Sequence, residues 1–122
     1  MGLTTLNFNV PLAAAAFVPN LFDTQPGAQI FRQLPRRTFI QIYACQNIVT
    51  TQPGVVCQLT FGNVIRVPES TGTIQQFTTG FGPTEQDHKW YEGGAEMLDQ
   101  VILSVRNSDT IAQNARFRVK YE

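Results

Sequence analysis

Charge is scarce in this chain of 122 residues: Asp, Glu, Lys and Arg make up 15% of it, against roughly 25% in soluble domains. The nine basic and nine acidic residues cancel to a formal net charge of zero. No long basic tract exists, so non-specific nucleic-acid binding through counterion release has little to work with. Histidine is scarcer still, with His88 alone. A typical zinc site needs three or four converging ligands. Near His88, in "EQDHKWYEGG", stand only Glu85, Asp87 and Glu92, with no second imidazole and no adjacent cysteine. His88 therefore reads as a solvated loop residue, and neither a metal nor a cofactor is expected. A Ser or Cys nucleophile would need His88 as its base, and no Gly-X-Ser-X-Gly turn supports one. No Gly-rich phosphate loop precedes a helix. Paired carboxylates meet only in space, and the sequence is silent on them. The expectation is a protein without catalytic residues and without a small-molecule substrate.

Long apolar runs are missing too. The stretch "VPLAAAAFVP" is interrupted by Pro11 and Pro19, and no basic residue precedes Arg32. It reads as neither a signal peptide nor a membrane span. Met1-Gly2 begins like a myristoylation site, but Leu6 stands where Ser or Thr is needed. The reading is a protein made and folded in a cytoplasm, with no membrane partner. Cysteines number two, too few for a disulfide framework in a chain this long. Cys45 and Cys57 lie in the apolar runs "FIQIYAC" and "VVCQLTF" and read as small buried hydrophobes. Their two strands are expected to be able to pair around a turn at Pro53-Gly54, which would leave the cysteines out of register.

What is present is alternation. From Ala115 to Tyr121, Ala115, Phe117, Val119 and Tyr121 point one way, and Arg116, Arg118 and Lys120 the other, as the two-residue period of a strand requires. Val101, Leu103 and Val105 repeat the pattern upstream. The connection 107–114 is rich in Asn, Ser, Asp and Thr, which favour turns. Two strands of one sheet are predicted, antiparallel neighbours if the connection is a simple hairpin. Further strands are expected around Leu6, Phe8 and Val10, at Gln29–Gln33, Thr38–Asn47, Val55–Phe61 and Val64–Val67, with a weaker one at Thr73–Thr78. "TQPGA" at 24–28 and "TQPGV" at 51–55 carry the chemistry of type II turns. Residues 1–23 are a candidate extended N-terminal arm; within them the stretch 11–23 reads as irregular, and its four alanines between two prolines fit a short strand, an extended arm or one helical turn. Few segments show helical periodicity, and Gly and Pro punctuate short strands. The fold class is all-β in one domain spanning 1–122: an antiparallel β-sandwich, jelly-roll-like, with about seven to eight short strands. An up-and-down barrel is the alternative, because strand order is not a periodic property.

Charge is unevenly distributed. Residues 1–68 carry Arg32, Arg36, Arg37 and Arg66 against Asp23. Residues 69–110 carry most of the acids, and the closing strand is basic again. Such patches complement each other either between subunits or within one folded chain. The segment 79–96, "TGFGPTEQDHKWYEGGAE", holds four glycines and the single tryptophan. It reads as a long loop of the functional kind. In it Trp90 and Tyr91 offer large, stiff contact area and fit either an interface anchor or a cap over one end of the sandwich. Arg36 and Arg37, just after Pro35, are a second candidate contact, for an acidic partner.

The closing pair "DQVILSVRNSD" and "ARFRVKYE", the surface rich in Thr, Gln and Asn, and the Pro-broken start resemble small virion proteins of bacteriophages. These are head decoration or cement proteins and single jelly-roll minor capsid proteins. The resemblance implies a structural virion protein, assembled in its host's cytoplasm and bound to other capsid subunits and to itself as a homo-oligomer, without catalysis. On that reading the basic face of the last strand meets an acidic patch on a neighbour. The alternative function is a carbohydrate-binding module, with Trp90 and Tyr91 as a stacking platform.

Overall fold

The computed structural model describes residues 3–47, 54–76, 83–86 and 88–122. Among these residues nine strands form: β1 (Thr4–Leu12), β2 (Phe17–Val18), β3 (Thr38–Gln46), β4 (Val55–Phe61), β5 (Val64–Val67), β6 (Gln75–Gln76), β7 (Lys89–Ala95), β8 (Val101–Asn107) and β9 (Gln113–Tyr121). Their antiparallel pairs are nested: β1 with β9, β2 with β8, β3 with β7 and β4 with β5. The chain thus pairs as one long hairpin that reverses at Gly62, where φ is +60°. That hairpin is then wrapped, so that β9 also meets β3 and β8 also meets β4. The result is a sheet ordered β1-β9-β3-β7 facing a sheet ordered β2-β8-β4-β5, with β6 added in parallel at the far end of β3. This is the jelly-roll arrangement, and the fold class expected from the alternation holds. The order is not that of an up-and-down barrel.

The closing strands differ from expectation in one respect. β8 and β9 are not hairpin neighbours; they lie in opposite sheets. Val101, Leu103 and Val105 point into the core from one side, and Ala115, Phe117 and Val119 from the other, all of them 0–1% exposed. The connection crosses between sheets and is held by buried polar groups. Asn107 Nδ2 donates to Ala13 O and Ile111 O, each at 3.0 Å, and Gln113 Nε2 donates to the Asp109 carboxylate at 3.0 Å. The β3–β4 strand pairing is likewise absent, because β3 and β4 belong to different sheets. Gln46 joins them instead: its Oε1 accepts from Val55 N at 2.8 Å, and its Nε2 donates to Ile74 O at 2.7 Å.

Three further expectations are corrected. Gln29–Gln33 is not a strand; Gln29–Arg32 is a 3₁₀ turn. Ala28, Phe31 and Leu34 are all wholly buried, and their spacing of three matches three residues per turn. Residues 3–23 do not form an arm, since β1 pairs with β9 over its full length. Leu21 and Phe22 are buried in a second 3₁₀ turn, Leu21–Asp23, which Asn20 caps by accepting from Phe22 N at 3.2 Å. Finally, the expected loop 79–96 becomes β7 from Lys89 onward. Gly27 has φ of +85° and Gly54 +72°, as the second central residue of a type II turn requires. Pro53, Met1-Gly2, the end of the weak strand at 77–78, and 79–82 with Asp87 lie outside the described residues.

Phe8, Phe22, Phe31 and Tyr121 form a chain of ring contacts through the core, with centroids 6.2, 4.5 and 5.2 Å apart. Cys45 and Cys57 are buried free thiols, as the apolar runs around them suggest. Burial pushes both thiols up. No helix among the described residues is long and apolar enough to cross a membrane.

Candidate interaction surface

Trp90 and Tyr91 are consecutive in β7, so plain alternation would send them to opposite faces. A bulge prevents that. Ile42 faces Tyr91 and Tyr43 faces Lys89, which leaves Trp90 as the extra residue. Both rings are half-buried against the core. The indole N–H of Trp90 donates to Gly72 O at 3.2 Å, and Tyr91 meets Phe61 edge-on at 5.6 Å. Gly93 makes room for this arrangement, since a Cβ there would lie 2.4 Å from the Tyr91 hydroxyl oxygen.

Arg36 and Arg37 sit at the other end of β7, and the structure does not bring them to the aromatic pair. Four residues of strand, about 13 Å, separate Trp90 from Gly94, beside which Arg37 lies. Both arginines are exposed. Arg37 approaches Glu96 at 3.9 Å, an exposed pair of the kind that contributes little to stability. Together with Phe39, Gly94 and Glu122, Arg37 lines a shallow depression of about 370 Å³.

The basic face of β9 has a partner within the chain. Arg118 Nη1 lies 3.3 Å from Glu85 Oε2, and Lys120 Nζ donates to Glu85 Oε1. Arg118 Nε also donates to Asn7 Oδ1 at 3.1 Å. The hydrogen bond from Lys120 is the main reason that the Glu85 carboxyl is held below the ordinary range. The acidic middle segment therefore meets basic residues from both ends of the chain, through Glu85 on one side and Glu96 on the other. Glu85 sets one carboxylate against the three cations of this face, Arg116, Arg118 and Lys120, and so offsets their charge in part.

His88 is a correction as well. It is 5% exposed rather than solvated. Its Nδ1 accepts from Thr84 N at 2.9 Å, closing a turn against β3, where Ala44 N donates to His88 O. Among the described residues no group of three or more His, Cys, Asp or Glu is placed to hold a metal ion.

The feature that sequence reasoning missed is an apolar end. Eight large apolar side chains stand exposed among the described residues. Strand register places six of them at one end of the sandwich: Leu3, Phe39, Val64, Ile65, Met97 and Leu98. There β1, β3 and β5 begin and β4, β7 and β9 end. Met97 and Leu98, about 60% exposed, form the tip of the β7–β8 turn. Leu98 is held at φ +72°, a conformation that disfavours a branched side chain. Backbone bonds hold it there: Leu98 N donates to Leu34 O at 2.8 Å, and Leu34 N to Asp99 O at 2.9 Å. In sequence "EMLDQ" offered only a signal for burial, because Met and Leu are usually inside. Arg36 and Arg37 lie at this same end, so one of the two predicted contacts falls on its rim.

No protein-family model matches the chain, and no curated protein matches it in sequence.

Proposed function

We propose that this protein is a structural component of a virion, a jelly-roll subunit of the decoration, cement or minor capsid kind. Its work is contact with other capsid subunits. The observation that supports this best is the apolar end, with Met97 and Leu98 presented on a fixed turn and Arg36 and Arg37 beside them. Isolated exposed apolar residues are ordinary, whereas a gathering of them rimmed by polar groups marks a contact surface. The jelly roll alone does not carry the reading, because the same architecture serves lectins and cupins. A sugar-binding platform at Trp90 and Tyr91 has less support. Both rings pack against the core, and the indole N–H already donates to Gly72.

The test is co-sedimentation with particles from the virus that encodes the chain, comparing wild type with the double variant Met97→Ser, Leu98→Ser. The variant is expected to keep its thermal midpoint and to lose at least about tenfold in particle retention, the scale of a lost hot spot. Full retention by the folded variant overturns the assignment of this end.

A further inference from the structure

A jelly roll leaves four sheet edges, and edges are protected by brevity, charge, proline or bulges. Three edges here carry such protection. β2 has two residues, and β5 has four, among them Arg66, with Pro68 following. β7 is bulged at Trp90 and bears Lys89 and Glu92. β1 is different. It runs for nine residues, "TTLNFNVPL", without a charged side chain; its one guard is Pro11 near the end, residues 4–10 have none, and its register with β9 is unbroken from Thr4 to Leu12. Among the described residues, no backbone hydrogen bond ties Thr4–Pro11 to any element but β9.

We propose that β1 is where two copies of this chain join, edge to edge and antiparallel, about a two-fold axis at Asn7. The proposal rests on the virion reading for the presence of several copies side by side, and it names the contact between them.

Pro11 fixes which backbone groups are open. It has no N–H, so it fits the β1–β9 ladder where its nitrogen faces away from β9. By the same parity Thr5, Asn7 and Asn9 turn their N–H and C=O groups to the open edge. A second β1 centred on Asn7 sets Thr5 opposite Asn9, Asn7 opposite Asn7, and Leu6 opposite Phe8. Polar side chains then meet polar ones on the exposed face, and apolar ones meet on the core face, where Leu6 is still half-exposed. The strand is self-complementary in that register, as a two-fold contact requires. Any half-buried strand would satisfy that parity; a second β1 in addition brings no charged side chain to an edge that has none.

Electrostatics permits the contact. The two β9 strands would lie three strand spacings apart, about 14 Å, beyond the Debye length of about 8 Å at physiological salt. Glu85 also offsets part of the charge of Arg118 and Lys120 within each copy. A joint made by one pair of strands belongs to the small class, below roughly 1,200 Å² of total buried surface, and such contacts are weak and transient. A lattice that holds copies side by side would strengthen it through effective concentration.

The experiment uses the purified chain, by sedimentation and amide exchange over concentrations on the order of micromolar to millimolar. Dimers are expected to form as concentration rises. The amides of Thr5, Asn7 and Asn9 should then slow by about tenfold when nine-tenths of the chain is paired. Asn7→Pro removes the central donor, as Pro11 already does nearby, and should stay monomeric with a wild-type fold. A monomer at every concentration overturns the proposal. So does a dimer whose three amides exchange at the monomer rate, or an Asn7→Pro variant that dimerises like wild type. If Asn7→Pro does not fold, the wild-type amides decide alone. A dimer that never joins particles upholds this contact and removes the virion reading, while a monomer that joins them does the reverse.

Discussion

Gly72 is the position where one added methyl group should cost most. Its φ of −94° suits any residue, so the constraint is space and not backbone freedom. A Cβ there would lie 1.7 Å from Cys57 O and 2.9 Å from Cys57 C. Both are backbone atoms of β4, and no rotamer change relieves the clash. The loop must move away, which breaks the bond from Cys57 N to Gly72 O and strips the Trp90 indole of its acceptor. Forced overpacking costs roughly 1–3 kcal/mol, and a lost backbone hydrogen bond adds about 1 kcal/mol. Gly72→Ala should therefore destabilise the fold by about 2–4 kcal/mol. At about 4 °C per kcal/mol for a domain this size, Tm falls by about 8–16 °C. Gly94→Ala is the matched control. Its Cβ would meet only the flexible Arg37 guanidinium at 3.9 Å, so it should be neutral or slightly stabilising through loss of unfolded-state entropy. Thermal unfolding followed by the fluorescence of the single tryptophan reads both variants, and Trp90 itself reports the loop. Equal Tm values for the two variants would refute the reasoning.

Phe117→Asp should abolish folding, since the side chain is 1% exposed in the core and the carboxylate finds no partner there. Arg118→Asp should keep the fold with a modest fall in Tm, because it sets a carboxylate beside Glu85; equal midpoints would contradict the strand's orientation. Cys45 and Cys57 should label slowly in the native protein and completely after denaturation without reductant; an unlabelled denatured chain would mean a disulfide. Glu85 titrates below the ordinary carboxylate range in the folded state. Its contribution is therefore full above the unfolded-state value and lost as pH falls through the depressed folded value. Glu85→Gln should lower Tm near neutrality and converge with wild type in acid, and a constant difference across that range would remove the linkage.

Much of the fold was legible because a strand's alternation is local. The inward sets of β8 and β9, the edges of β3, β4 and β5, and the burial of both cysteines follow from side-chain periodicity alone. The glycine turns were legible for the same reason, since a positive φ is a single-residue property. Even the misread 3₁₀ turn carried its signal in the three-residue spacing of Ala28, Phe31 and Leu34. The candidate contacts were less legible. Arg36 and Arg37 were named from sequence, whereas nothing in the sequence singled out Met97 and Leu98.

Which sheet each strand joins was decided only in three dimensions. Val101–Val105 and Ala115–Val119 present the same alternation whether they are hairpin neighbours or face each other across the core. The wrapping of one long hairpin, fixed by the β9–β3 and β8–β4 pairs, puts them on opposite sides. The same wrapping sends Trp90 inward through a bulge opposite β3 and brings Glu85 to Arg118 and Lys120. It also gathers apolar residues from four separate segments at one end. Contacts of this kind join residues 30 to more than 100 positions apart, as Arg118 and Asn7 show with a separation of 111, and nothing periodic in a sequence encodes such distances.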